Sequence, residues 1–455
     1  MRFLSIDVGT SAVKAAVVDS EGRVLSHTTA PYPLIARPGG HREVDPGELW
    51  SAIYRACAGL DETARLTVEI LAYDTFSPSP VLLKRDGSLS YPNIITHLDR
   101  RSLDQAAFID RVLGNERYLS IAGCLPFAGG TGAMTFSWLR QNEPHLLAAS
   151  FRIGHLPTYI HHRLTGEWVV DLVNASMSGL YETTTQGDWS KEVVQALDLP
   201  ERLLSPIVDP GVTLGALRAD EAYRLGVRAG IPVAVGTNDV ASAHCGAGNF
   251  SPGEMINTAG SSDMISILTD NPVTSRGYYL RNAAIRGQWQ IYATTTGGFA
   301  LDWFFDQFCR DMSRPEFDAE FVPRALREHA EEGDVAFDPY LTGDRQSLES
   351  RTGAWRGLTL LSTREEMLSA MLRSTNRVLG GVISEARRSM RTAEVVKLTG
   401  GLTGRHFVTL KEREFQGLTL EVVKDCPLRG NVTLARRQLG LGPLQPESAA
   451  HGGGG

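Results

Sequence analysis

The chain opens on alternation. Phe3 to Val8 places apolar side chains at alternate positions, Gly9-Thr10-Ser11 breaks the run, and Val13 to Val18 returns as a second strand. Asp19-Ser20-Glu21-Gly22 marks another turn before Arg23 to Thr29, so the start predicts an antiparallel meander. A helix follows, with Asp45 as N-cap, Pro46 at the first position, Glu48 three past the cap, and Leu49, Ile53, Cys57 and Leu60 as its apolar stripe. Val68 to Tyr73 reads as a strand, and Val81-Leu82-Leu83 with Asp86-Gly87 predicts a hairpin. Periodic stretches at 101–113, 134–141 and 155–165 predict helices. Ile231 to Gly236 reads as a buried strand, followed by a short helix and a break at Ser251-Pro252-Gly253.

After that break the opening pattern returns. Met255 to Ile265 echoes Ser5 to Val13: in both, an apolar strand ends in glycine and two hydroxyl residues, then re-enters a strand. An echo at the head of each half fits duplication and predicts two domains, 1–247 and 248–445, with 446–455 as a flexible tail. The second half carries a helix near 299–311. A long helix over 363–390 follows, opened by Ser362 with Glu365 as a capping box. The strand Val395 to Leu398 then leads into Thr399-Gly400-Gly401.

Composition narrows the chemistry. A length of 455 residues allows two or three domains with ample core. The net charge of −7 speaks against non-specific nucleic-acid binding. No apolar run approaches the ~20 residues that a membrane helix needs, and Asp7 falls where a signal peptide would be apolar. The five cysteines are scattered and odd in number, which disfavours a disulfide framework and fits the cytoplasm. None of the lysines follows a glycine, so there is no Walker A loop, and no kinase His-Arg-Asp is present. Gly246-Ala247-Gly248 lacks the third glycine of a dinucleotide fingerprint. Any ATP must be held by another geometry.

Three turns could supply it. In Asp7-Val8-Gly9-Thr10-Ser11 with Lys14, a tight turn aims backbone N–H groups at one spot, which suits a phosphate, and Asp7 is an oxygen ligand suited to Mg²⁺. The competing reading is an ordinary hairpin with an Asx cap. The echo at Gly260-Ser261-Ser262 strengthens the phosphate reading. In Gly236-Thr237-Asn238-Asp239, a carboxylate at a strand end can accept a hydroxyl proton, but it can equally be a plain N-cap. Thr399-Gly400-Gly401 permits close approach of a flat ring, or is simply a loop that needs positive φ. His161-His162 reads as packing rather than a metal site.

Taken in order, these segments resemble the FGGY carbohydrate kinases, across roughly residues 2–425. Ile6 to Ser11 with Lys14 is similar to the family's first phosphate motif. Glu43-Val44-Asp45-Pro46 with Trp50, Asp99-Arg100-Arg101, Trp138-Leu139, Arg163-Leu164-Thr165-Gly166 and Asp188-Trp189-Ser190 follow in family order. Gly236 to Asp239 resembles the catalytic aspartate segment, and Thr258 to Ser262 the second phosphate motif. Gly343-Asp344-Arg345, Gly353 to Leu358 and Gly400-Gly401 complete the series.

The resemblance implies an α/β protein with two RNase H-like, actin-like ATPase domains around a central cleft. ATP is expected mainly on the C-terminal domain and the sugar mainly on the N-terminal one. It implies transfer of the γ-phosphoryl group to a terminal hydroxyl of a small sugar or polyol, with Asp239 as general base and Asp7 positioning Mg²⁺. Gly9, Thr10, Ser11, Lys14, Gly260, Ser261, Ser262, Gly400 and Gly401 would hold ATP, and Phe76, Asp99, Arg101 and Asp239 the sugar. A homodimer is compatible with this reading. Some positions depart from the family: Thr135, Arg373, Gly404 and Thr409 replace its usual residues. Tyr73 to Pro78 stands where xylulokinases carry Gln-Met-His-Gly, so a pentulose-like ketose is expected with D-xylulose a poor or secondary substrate. The alternatives are a sugar-binding pseudokinase, or an actin-like or Hsp70-like ATPase acting on a protein partner.

Overall fold

In the computed structural model the opening meander forms. Strands β1 (Arg2–Val8) and β2 (Ala12–Asp19) pair antiparallel with Asp7 opposite Lys14, and β3 (Val24–Pro31) continues on the outer side of β2. Helix α1 (Pro46–Ala58) starts as its signals predict: the Asp45 side chain accepts from the Glu48 N–H, and Leu49, Trp50, Ile53 and Cys57 are buried against β2 and β3. Strand β4 (Ile70–Thr75) lies parallel to β1 on its other edge, with Asp74 beside Asp7. Every residue of β4 is buried, as a central parallel strand requires when both faces are covered. A short helix, α2 (Leu172–Met177), packs Val173 and Met177 with Ala241 and Cys245 in a smaller cluster. Strand β5 (Thr213–Ala216) edges the sheet against β6 (Pro232–Ala234). β6 and the two-residue β7 (Thr237–Asn238) both pair parallel with β4. Helix α3 (Asp239–Gly246) follows β7 directly.

The structure describes residues 1–444 apart from 332, 345–347 and 350, so the tail expected at 446–455 and Arg345 lie outside the described residues. The chain divides into two units. The first holds Met1–Phe250, Asp270–Gln290 and the described chain from Asp425, and the second holds Ser251–Thr269 and Ile291–Lys424. In the second, β8 (Met255–Ala259) and β9 (Ser262–Thr269) form a hairpin, with β10 (Trp289–Thr296) beyond β9. Helices α4 (Gly298–Phe308) and α5 (Arg364–Ala386) follow in the chain. Strand β11 (Val395–Gly400) runs parallel to β8, and after α6 (Arg405–Glu414), β12 (Thr419–Val422) runs parallel to β11. The spatial order β10-β9-β8-β11-β12 repeats β3-β2-β1-β4-β6. The echo in the sequence therefore heads the same sheet twice.

Two expectations differ from what forms: the start and end of the long helix, and the domain boundary. Residues Pro80–Leu83 pair with Arg152–His155, and the expected turn at Asp86-Gly87 forms as well: Lys84 N–H donates to Ser88 O (2.8 Å), Ser90 N–H donates to Leu82 O (2.7 Å), and Leu83 bridges Leu89. The cap of α5 is Thr363 with Glu366, one residue later than Ser362 and Glu365, and the helix ends at Ala386. The helices at 105–113, 132–142 and 156–165 fall within a few residues of their expected places. A single boundary at 247/248 also does not describe the units. Residues 270–290 stay with the first because Asn282 donates from its backbone N–H to Ser176 Oγ (3.1 Å) and from Nδ2 to Leu172 O (3.1 Å). The terminal helix Cys426–Gln438 returns to the first unit and packs on β1, β4 and α3.

The crossing of α3 and the terminal helix depends on two glycines. A Cβ on Gly430 would lie 1.8 Å from Ser242 O, and one on Gly246 1.9 Å from Cys426 O. Both contacts are to backbone, which cannot swing aside as a side chain can. Gly430→Ala is therefore expected to force the helices apart and destabilise the protein by about 3 kcal/mol, the upper end of ordinary overpacking costs. Urea denaturation checks this; an unchanged midpoint would mean the crossing reseats freely.

Candidate active site

The strand ends of the first unit gather three carboxylates. Register pairs Asp7 on β1 with Asp74 on β4, and Asp74 with Thr237 on β7, which puts Asp239 one step past the same edge. Lys14 Nζ lies 3.2 Å from Asp7 Oδ2, and Asp7 raises the lysine's pKa. The turn between β1 and β2 is braced from beside it: Gly9 N–H donates to Ala12 O (3.0 Å), Tyr32 N–H donates to Ser11 O (3.1 Å), and the Tyr32 hydroxyl donates to Gly9 O. Ser11 is exposed, while Gly9 and Thr10 are half-buried.

The structure separates the two readings of Asp239. Asn238 is the N-cap of α3, its Oδ1 accepting from Val240 N–H (3.1 Å) and Ala241 N–H (3.3 Å). Asp239 is thus relieved of capping duty and stays half-buried at the helix start, its Oδ1 taking bonds from Val240 N–H and Asn238 Nδ2. Burial, reinforced by the charge of Asp7, pushes the Asp239 carboxyl up to about 7. A carboxylate with that pKa is matched to accepting a proton near neutrality.

Asp74 is a residue that reading the sequence passed over. It is fully buried, Asn431 Nδ2 of the terminal helix donates to its Oδ2 (2.7 Å), and its Oδ1 makes no hydrogen bond. Burial, with Asp7 and Asp239 close by, pushes its carboxyl well above the usual range. The signal was present as a lone acid in an otherwise uncharged, fully buried strand, but only the register with β1 shows what it faces.

Among the described residues no group of three or more His, Cys, Asp or Glu is arranged to hold a metal. The oxygen chemistry of Asp7 nevertheless fits Mg²⁺, which takes one or two carboxylates and fills its remaining positions with water and phosphate oxygens. His161 and His162 are packing residues: His161 stacks on Tyr73, and His162 on Trp168 with ring centroids 3.6 Å apart.

Asp99 and Arg101 form a second cluster in this unit. Arg101 reaches Asp99 Oδ1 through Nε (2.8 Å), and its Nη2 bridges Asp99 Oδ2 (2.7 Å) and Glu43 Oε1 (2.5 Å). Tyr91 and Asn93 complete the shell around Glu43, each at 2.6 Å. The pair is buried and mutually satisfied rather than lying on the surface. Phe76, also buried, places its ring 6.1 Å from that of His97, two residues before Asp99.

The second unit brings its two glycine motifs side by side. Ala259 and Gly400 are register partners, and Leu402 N–H donates to Ala259 O (2.9 Å). Gly400 has φ 109°, and a Cβ there would lie 2.3 Å from Ala259 O, so only glycine fits. Carbonyls of Gly260 and Ser261 accept from the N–H groups of Gly298 (2.8 Å) and Phe299 (3.0 Å) at the start of α4, which fixes the turn. Behind it Lys411 and Asp263 form a fully buried ion pair. Asn376 Oδ1 accepts from Lys411 Nζ (2.7 Å), and Asn257 Nδ2 donates to Asp263 Oδ1 (2.7 Å). An acid two residues before the glycine occurs only in the first hairpin: Asp7 precedes Gly9, whereas Thr258 precedes Gly260.

Two stability predictions follow from these charges. A carboxyl held at about 7 stabilises the fold while protonated and loses that contribution as pH rises through about 7. Asp239→Asn should therefore raise the melting temperature at pH 8 and leave it unchanged near pH 4; scanning calorimetry at both values checks the sign. Lys411→Met strands the buried Asp263 carboxylate and should cost about 3–5 kcal/mol, with Asp263→Asn in the same chain recovering a large part. Equal denaturation midpoints for single and double variants would contradict this.

Residues 2–246 match the N-terminal domain of the FGGY family of carbohydrate kinases. An L-fuculokinase from Salmonella typhi is 26% identical over 408 residues, covering 87% of this chain and 81% of that protein. A xylulose kinase from Streptomyces coelicolor is 29% identical over 374 residues, covering 81% and 73%. The ligand-bound xylulose kinase structure from Lactobacillus acidophilus superposes with a TM-score of 0.82 at 20% identity, over 97% of this chain and 90% of that one. The likeness shows the two-domain, actin-like ATPase fold. The chain belongs to the FGGY family of carbohydrate kinases and is an ATP-dependent phosphotransferase that acts on a sugar alcohol group.

Proposed function

We propose that Asp239 is the general base of the phosphoryl transfer, taking the proton from the attacking sugar hydroxyl. The observation that carries this is the division of labour at the start of α3: Asn238 caps the helix, leaving Asp239 as an acid held near pH 7 beside Asp7. In this reading Asp7 positions Mg²⁺, which when bound neutralises phosphate charge. The turn Gly9-Thr10-Ser11, Lys14 and the turn Gly260-Ser261-Ser262 hold phosphate oxygens, and Gly400-Gly401 lies against the adenosine. Lys14, paired with Asp7 in the absence of nucleotide, would exchange that partner for a phosphate oxygen. Phosphoryl transfer requires little covalent chemistry from the protein, so these groups act by position and charge.

The acceptor is proposed to be a small ketose or polyol, phosphorylated at a terminal hydroxyl by a cytoplasmic enzyme. Relatives named for fuculose and xylulose support the ketose class. The buried Phe76 offers an apolar wall where xylulokinases carry polar residues, which supports D-xylulose as a secondary substrate. Asp99 and Arg101 are proposed to reach sugar hydroxyls through the rim of their buried cluster. The pseudokinase reading loses one of its motives. Arg373, one of the departures that suggested it, donates to the carbonyls of His329 (2.6 Å) and Glu331, which is a packing role.

A coupled ADP-release assay over ketopentoses, ketohexoses, polyols and glycerol tests the substrate class. Asp239→Ala on the best substrate should lower kcat by ~10²–10⁴-fold with nucleotide binding retained. Near-wild-type turnover would return Asp239 to a structural role. Asp99→Asn should raise KM or lower kcat/KM for the sugar; unchanged constants, or D-xylulose proving best by a wide margin, would overturn this view of the pocket wall.

A further inference from the structure

A fully buried polar chain runs behind the candidate base. Asp171 precedes α2 and caps it, its Oδ1 accepting from the N–H groups of Val173 (3.1 Å) and Asn174 (3.2 Å). The same oxygen accepts from the Thr237 hydroxyl (2.8 Å). Asp171 Oδ2 accepts from Asn174 Nδ2 (2.6 Å), and Asn174 Oδ1 accepts in turn from Ser77 Oγ (2.6 Å). Asp171, Asn174 and Thr237 are wholly enclosed and Ser77 nearly so. One carboxylate thus ties together two segments 160 positions apart: Phe76-Ser77 after β4, and Thr237-Asn238-Asp239 at β7. Among the described residues, no arginine, lysine or histidine donates to Asp171.

A helix N-cap needs only the two backbone bonds, and an exposed Ser or Asp supplies them at little cost. Burying a carboxylate without a cation is costly, and burial pushes this one up to about 6 despite four donors. Three of its bonds serve α2 itself. The Thr237 bond does not, and it fixes the strand whose next two residues are the α3 cap and Asp239. Thr237 is also the register partner of Asp74, so its backbone is held by β4 and its side chain by Asp171. Two-point fixation of a residue two before the base sets where the base carboxylate points.

We propose that Asp171 is a positioning residue for phosphoryl transfer, orienting Asp239 through the Thr237 hydroxyl and the sugar-side wall through Asn174 and Ser77. This rests on Asp239 being the base. Asp171 touches neither nucleotide nor reacting hydroxyl, so its loss should appear in kcat and not in KM for ATP.

The test is a mutant cycle on kcat. Asp171→Asn and Thr237→Val should each lower kcat by about 10–100-fold, the loss of one buried hydrogen bond to a charged group, with KM for ATP unchanged. Thr237→Ser keeps the hydroxyl and should stay within about threefold of wild type. In an Asp239→Ala background, Asp171→Asn should cost nothing further, because the group it orients is gone. If Asp171→Asn does not fold, the Thr237→Val and Thr237→Ser pair, run in both backgrounds, carries the same test. Losses that multiply in the Asp239→Ala background, a kcat within twofold of wild type for Thr237→Val, or a raised KM for ATP overturn the proposal. Near-wild-type turnover of Asp239→Ala alone overturns the base assignment itself, a distinct outcome read from a distinct variant.

Discussion

The parallel pairing of β4 with both β1 and β7 is the constraint on which the candidate site depends. In parallel register, neighbouring strands end level, and here each end carries or leads to an acid: Asp7, Asp74, and Asp239 just beyond Thr237. Among the described residues, Lys14 is the cation that forms an ion pair with Asp7. Burial first, and then the repulsion between neighbouring carboxyl groups, raises the pKa values of Asp74 and Asp239. Such an arrangement opposes folding and is retained where it serves chemistry, a cost that site geometries commonly impose on their scaffolds.

The scaffold absorbs this strain through elements that arrive late in the chain. The terminal helix donates from Asn431 to Asp74 and crosses α3 at Gly246 and Gly430, closely enough that backbone meets backbone. Asp171 holds Thr237 from another direction. Asp239 is thus held in place by a strand, a helix crossing and a buried hydrogen bond, each supplied by a different part of the chain. A kinase that transfers phosphate by positioning alone requires this rigidity, since misplacement by ~1 Å can cost ~10²-fold in rate.

The second unit repeats the sheet order but solves its electrostatics differently. Its hairpin has Thr258 where the first has Asp7, and its buried charge, Asp263, is neutralised by Lys411. One half therefore keeps three acids near one lysine at its strand ends. The other keeps a neutral, glycine-lined turn beside Gly400-Gly401, suited to a phosphate chain and a ring. Duplicated sheets with diverged ends give two different chemistries on one architecture.

Alternation and glycine punctuation by themselves determined the meander, the hairpin turns, the repeat at Met255 and the cap of α1, because those are local choices of backbone and solvent exposure. They also nominated Asp7 and Asp239, which stand at strand ends readable from the pattern. Local sequence left Asp239 even between base and N-cap, since both roles favour an acid at a strand–helix junction; the structure shows Asn238 as the cap and leaves the Asp239 carboxylate outside that role. Asp74, Asp171 and Lys411 were illegible for a common reason. A buried polar group is costly until its partner is known, and the partners lie 357, 66 and 148 positions away in Asn431, Thr237 and Asp263. The turn at Asp86-Gly87 was legible, but the pairing of Pro80–Leu83 with residues 152–155 was not, because no local turn signal reveals a distant strand. Only tertiary structure decides which distant groups meet, and here those meetings set the charge, the register and the orientation of the site.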